Sequence, residues 1–172
     1  MSTADDAAAD TADVPVIPAD PLGEGGRIVV GVDESPHALA ALRWALHEAM
    51  ARGDALEVVH AWQAPLSSLP FGITLKVSVD DGELDAAARA ELDKVVDGAL
   101  AELGGSGPEV LRTVMPGPPA AVLMDIAMDA DLLVVGSQGR TGLRQVSLGS
   151  VAHACVQHAA CPVVVVPAPD GD

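Results

Sequence analysis

The sequence predicts an α/β fold: an open, parallel, five-stranded sheet with helices on both faces. Three observations carry that reading. Short apolar, β-branched runs alternate with longer amphipathic stretches, the pattern of strands joined by crossover helices. Two of the runs, LLVV and VVVV, are apolar throughout, as strands covered on both sides must be. And although 49% of the 172 residues are hydrophobic, only 2% are aromatic and none is Tyr. The core is therefore Ala, Val and Leu, the usual filling of helices laid on a parallel sheet.

Arg27–Val32 (RIVVGV) reads as the first strand, ending at Asp33. Ser35-Pro36 signals a helix start, with Ser as N-cap and Pro as first helical residue. Leu39, Leu42, Leu46 and Ala49 then recur at helical spacing, and Gly53 closes the helix. Ala55–Ala61 (ALEVVHA) is the second strand. The second helix carries Leu84, Ala88, Leu92, Val95, Ala99 and Leu103 on one stripe and ends at Gly104-Gly105. Val110–Val114 is a weaker third strand and Pro118–Ala130 a third helix, with Val122 and Ile126 one turn apart. Leu132–Val135 is the fourth strand, Gly149–Ala159 the fourth helix and Val163–Val166 the fifth strand. Trp62–Asp80 is too long for an ordinary strand-to-helix connection. Alternation of Ile73, Leu75, Val77 and Val79 with polar residues suggests a short extra strand within it. It leaves the carboxyl end of the second strand, either as a partial lid or as a plain surface excursion.

The length suits one domain, expected over residues 27–167, whose core needs neither disulfides nor metal. Met1–Gly26 holds six acidic residues, no basic one and no apolar run. It reads as a disordered or loosely held acidic tail rather than a signal or transit peptide, with a short second tail over residues 168–172. Two cysteines, Cys155 and Cys161, imply no disulfide framework and suggest a reducing, cytoplasmic setting. A net charge of −16 argues against nucleic acid or an anionic membrane as partner. Leu132–Pro167 lacks Asp and Glu entirely yet contains Arg140 and Arg144, so an anion could settle there.

That stretch contains the glycine-rich segment Gly136–Ser150, starting where the fourth strand ends. In open α/β sheets, ligands collect beyond the carboxyl ends of strands, where strand order reverses. Glycines let backbone N–H groups reach phosphate oxygens and supply positive φ where a loop needs it. Gly149-Ser150 opens a helix, whose free N–H groups and dipole favour an anion. The chain lacks G-x-x-x-x-G-K-[ST], a G-x-G-x-x-G after the first strand and a G-x-S-x-G elbow.

With Gly136-x2-Gly139-x9-Gly149-Ser150, an opening strand running into Gly31-Val-Asp-Glu-Ser35 and a second strand ending His60-Ala61, the chain resembles the universal stress protein family from Arg27 to Pro167. The resemblance implies an adenine-nucleotide alpha-hydrolase-like sheet ordered 3-2-1-4-5. It implies ATP as ligand, with or without Mg²⁺, while ADP, AMP and cyclic AMP stay open. Carried over residue by residue, it puts Gly31, Val32, Asp33, Ala61 and Val135 around adenine and ribose. Gly136, Gly139, Gly149, Ser150 and Val151 fall on ribose and phosphates, with Arg140 at the mouth. Position 61 is Ala where relatives often have Val, which loosens the adenine slot. Asp33 reads either as a carboxylate facing the base or sugar or as a turn residue before the first helix.

Other candidates read as scaffold. His153, Cys155 and His158 are not spaced to set three metal ligands on one helix face. Cys155 and Cys161 read as small buried groups, Trp44 and Trp62 as packing, and His60 as hydrogen-bonded core or site lining. The leading function is a stress-response regulatory module, a homodimer joined through the Val163–Val166 edge and acting on an unnamed protein partner. The alternative is a slow ATPase or a cyclic-AMP-binding relative. No catalytic residue or metal ligand is assigned. At most weak ATP hydrolysis is expected, because the phosphate-side segment supplies no carboxylate.

Overall fold

The computed structural model describes residues 25–63, 66–68, 74–76, 80–104, 106–139 and 148–168. Most of the acidic tail, Arg140 and Arg144 lie outside them. In chain order the elements are β1 (Arg27–Gly31), α1 (Pro36–Arg52), β2 (Ala55–Trp62), β3 (Leu66–Ser68), β4 (Thr74–Lys76), α2 (Asp81–Glu102), β5 (Val110–Pro116), α3 (Pro119–Ile126), β6 (Leu132–Gly136), α4 (Ser150–His158) and β7 (Val163–Val166).

Five strands form one parallel sheet in the order β5-β2-β1-β6-β7. Counted by sheet strands alone this is 3-2-1-4-5, as the resemblance implies. The short strands β3 and β4 pair antiparallel apart from that sheet, inside the excursion after β2. The extra strand expected over Ile73–Val79 thus survives as Thr74–Lys76, and the residues around it lie outside the description.

Period-two alternation divides the core in two. Ile28, Val30, Leu56 and Val58 face α1 and α2, while Val29, Val59, Leu133 and Val135 face α3 and α4. Helix α1 starts as expected: Ser35 Oγ accepts the Ala38 N–H at 3.1 Å and Pro36 opens the first turn. It stops at Gly53, whose φ of 74° a Cβ would disfavour. On α2 the fully buried position is Val96 rather than Val95, beside Ala88, Leu92 and Ala99. The third helix is shorter than its apolar pattern suggests. It gives way after Ile126 to a 3₁₀ turn over Ala127–Asp129, whose Ala127 carbonyl takes the Ala130 N–H before β6 begins. Strand β5 runs two residues past Val114, because Met115 and Pro116 still pair with Ala61 and Trp62.

One buried polar cluster crosses the sheet. Glu57, 4% exposed, receives Arg27 at 2.7 Å and Thr113 Oγ1 at 2.7 Å.

Candidate functional site

Strand order reverses between β1 and β6, and a cleft of about 820 Å³ opens there at the carboxyl ends of the strands. Gly31, Val32 and Asp33 line it from β1, and Ala61 lines it from β2. Val135, Gly136 and Gly139 come from β6 and the residues after it, and Gly149, Ser150 and Val151 from the start of α4. The described residues that the sequence singles out therefore meet in one place. Arg140 lies outside the described residues. A smaller hollow of about 370 Å³, near Met50, Gly53 and Gly107, sits at the opposite, amino ends of the strands, where open α/β sheets do not collect ligands.

The cleft exists because strands end unequally. Gly31 pairs with Val59, and a bond from Val32 N–H to the Val59 carbonyl at 2.9 Å closes the β1–β2 ladder. Strand β2 continues to Trp62. Along β2, Leu56 N–H donates to Glu109 and the Trp62 carbonyl accepts from Gly117, both toward β5. In a parallel ladder the backbone groups of successive residues alternate between neighbours. Even-numbered β2 residues thus address β5 and odd-numbered ones the β1 side. Ala61 turns its N–H and C=O to the β1 side, past the point where β1 has left the sheet.

The opposite wall is tied down by hydrogen bonds. Ser137 N–H donates to the Val166 carbonyl at 2.8 Å, and the Ser137 carbonyl accepts the Gly149 N–H at 2.7 Å. Ser137 Oγ lies 3.0 Å from His37 Nδ1, and Ser35 Oγ reaches the Gln138 carbonyl at 3.4 Å. Helix α4 begins beyond this frame at Ser150, with Gly149 as N-cap and no side-chain cap bond. Its leading N–H groups and dipole are directed to the cleft end where the glycines lie.

Asp33 combines its two sequence readings. Its Oδ1 accepts the Ser35 N–H at 2.9 Å, a turn bond, while Oδ2 stands 3.1 Å from where a Cβ on Gly139 would be. What crowds these glycines is close approach, tightest at Gly136, and not φ. Left-handed φ occurs among the described residues at Gly53, Gly104 and Gly117, so the positive φ expected of the site segment is absent at Gly136, Gly139 and Gly149. A Cβ on Gly136 would lie 2.7 Å from the His37 carbonyl carbon, and one on Gly149 would lie 3.2 Å from Gln138 Cα. At Gly31 it would meet Leu123 Cδ1 at 2.6 Å. Packing alone accounts for glycine at Gly136, where the crowding atoms are main chain; at Gly31 they belong to the Leu123 side chain.

Trp62, Leu84 and Ala88, read from the sequence as packing, also line the cleft, as does His60, read as hydrogen-bonded core or site lining. Ala87, Glu91 and Leu123 join them without having been singled out. His60 Nδ1 lies 3.1 Å from the Val32 carbonyl oxygen. The sequence hint near these residues is that the long excursion before α2 leaves the carboxyl end of β2, beside the cleft. Cys155 and Cys161 are both free. Burial pushes both thiols up, Cys155 further raised by Cys161 nearby, so they are poor nucleophiles. Among the described residues no group of three or more His, Cys, Asp and Glu could hold a metal, and no helix is long and apolar enough to cross a membrane.

The model of the universal stress protein family matches residues 25–167. The universal stress protein Rv2623 of Mycobacterium tuberculosis is 36% identical over 146 residues, which cover 81% of this chain and 46% of that protein. The chain thus spans about half the length of the curated relatives it matches. Among solved structures, the universal stress protein UspA from Lactobacillus plantarum aligns with a TM-score of 0.63 at 25% identity, over 82% of this chain and 97% of that one. The universal stress protein from Archaeoglobus fulgidus, in complex with dAMP, aligns with a TM-score of 0.54 at 25% identity, over 82% and 97%.

Proposed function

We propose that this chain, which belongs to the universal stress protein family, binds an adenine nucleotide, ATP foremost, in the switch-point cleft and works as a homodimeric regulatory module. The observation that carries the reading is the backbone of Ala61, whose donor and acceptor face the cleft side by side. Adenine offers N1 as acceptor and the N6 amino group as donor, the complement of such an edge, and proteins that grip a lone base read this edge. Guanine presents N1–H and O6, so both bonds are reversed and a buried pair is left unmade. The phosphates then fall toward Gly139 and the uncapped start of α4. The dAMP complex of the Archaeoglobus relative supports the same ligand class.

The dimer reading rests on β7. Its bonds to β6 use the Pro162 and Val166 carbonyls, so by the same alternation Val163 and Val165 direct their backbone groups outward from the sheet edge. An apolar edge without charge favours pairing with a second copy about a two-fold axis.

The direct experiment is extraction of nucleotide from freshly purified protein with mass identification, followed by calorimetry with ATP, ADP, AMP, cyclic AMP and GTP. Adenine nucleotides should be recovered and bound, and GTP should give no competing heat. No heat with any adenine nucleotide would refute the reading.

A further inference from the structure

We infer that His60 is a positioning residue for the base end of the cleft: its Nδ1–H, donated to the Val32 carbonyl oxygen, pins the turn after β1 against the end of β2. The inference rests on the adenine reading above and adds what fixes the slot in which Ala61 meets a purine edge.

The 3.1 Å approach decides the tautomer. A carbonyl oxygen can only accept, so Nδ1 carries the proton, and in the neutral ring Nε2 keeps its lone pair. The anchor is rigid. His60 is paired with Val114 of β5, which fixes its backbone, and from the face of β2 its ring reaches the Val32 carbonyl at the end of β1. Val32 is consequently held twice: its N–H by the Val59 carbonyl at 2.9 Å and its C=O by His60. A β1 strand that ran on would fill the groove beside Ala61. The His60 bond holds the carbonyl where the strand stops and so keeps that groove open. Val32 also leads directly into Asp33, whose Oδ1 is tied to Ser35 N–H at 2.9 Å. Movement at Val32 is passed on to the carboxylate that stands beside Gly139.

The test compares His60→Asn with His60→Leu in the full chain. The amide nitrogen of Asn occupies the place of Nδ1 and keeps a donor, whereas Leu keeps the bulk and removes it. The readout is the ratio of AMP to IMP affinity by calorimetry, since IMP presents N1–H and O6 and inverts the edge that Ala61 addresses. His60→Asn should keep the wild-type ratio within about twofold, and His60→Leu should reduce it by about tenfold, the scale of one hydrogen bond. A filler role predicts the reverse order, with Leu tolerated and Asn, the smaller, impaired. That result, or an unchanged ratio in His60→Leu, overturns the inference while leaving the adenine reading in place. Should His60→Leu fail to fold, the ¹⁵N spectrum of the wild-type imidazoles decides: a His60 ring protonated at Nε2 alone overturns the inference, and one protonated at Nδ1 supports it. Wild-type protein that binds neither AMP nor ATP overturns the adenine reading, and this inference with it.

Discussion

A methyl group added at Gly136 would stand 2.7 Å from the His37 carbonyl carbon, 2.8 Å from its oxygen and 2.9 Å from Ala38 N. Ordinary contacts of this kind lie near 3.5–4.0 Å, so something must move by about 1 Å. Neither side yields easily. Strand β6 is fixed between β1 and β7, and α1 rests on the sheet through Ala38, Ala41, Leu42 and Ala45, all buried. The neighbouring atoms are main chain, with no rotamer to turn aside. Gly136→Ala should therefore cost about 3 kcal/mol, the upper end for overpacking, and lower Tm by about 10 °C in a domain of this size. Urea denaturation should show a lower midpoint with an unchanged slope. Gly139→Ala is the control: its Cβ would meet Asp33 Oδ2 at 3.1 Å, a side-chain atom that can turn away. It should stay within about 1 kcal/mol of wild type while weakening nucleotide binding. If Gly136→Ala is as stable as wild type within about 0.5 kcal/mol, α1 shifts freely and the packing account of this glycine is wrong.

Two further outcomes follow from the same contacts. Arg27→Met leaves the buried Glu57 carboxylate with Thr113 but without its cation and should cost about 3 kcal/mol, near the low end for a broken buried pair because Arg27 is 25% exposed. Adding Glu57→Met should recover most of that loss in thermal unfolding, and simple additivity of the two losses would refute the coupling. Val165→Pro removes an outward N–H from the β7 edge without touching the bonds to β6, and proline is tolerated on edges. Light scattering should report a monomer, and an intact dimer would put the interface elsewhere.

Much of the fold is legible because its signals are local. Ser35-Pro36 caps α1 through atoms three residues apart, and Gly53 ends it through its own φ. One boundary that sequence reading misplaces is set by a distant partner. Met115 and Pro116 are polar in neither pattern nor role, and only pairing with β2 keeps them in β5. The third helix is misplaced for a local reason: it carries an apolar pattern through Ala130, but a 3₁₀ turn closed by the Ala127 carbonyl and Ala130 N–H tightens it after Ile126. Gly136 shows the limit set by distant partners within the site. Its identity is legible, yet its reason, the backbone of α1 about a hundred residues earlier, is a contact no local pattern encodes. The cleft lining by Ala87 and Glu91 is hidden because α2's apolar stripe is fully explained by the core.

The unequal ends of β1 and β2 also explain why so little of the proposed base end of the cleft is visible in residue types. At Ala61 the groups facing the cleft are N–H and C=O, which every residue except proline supplies. What the sequence must specify is where a Cβ is forbidden and where a strand must stop. The first requirement is written as glycine at Gly136, where main-chain atoms stand 2.7 Å from a Cβ's place, and more mildly at Gly149, at 3.2 Å. The second is written in the turn that follows Val32, where Asp33 and Ser35 hold each other through one hydrogen bond and His60 reaches the carbonyl just before them. The base-edge reading proposed for this cleft rests on backbone groups, so its marks in the sequence are missing side chains rather than distinctive ones.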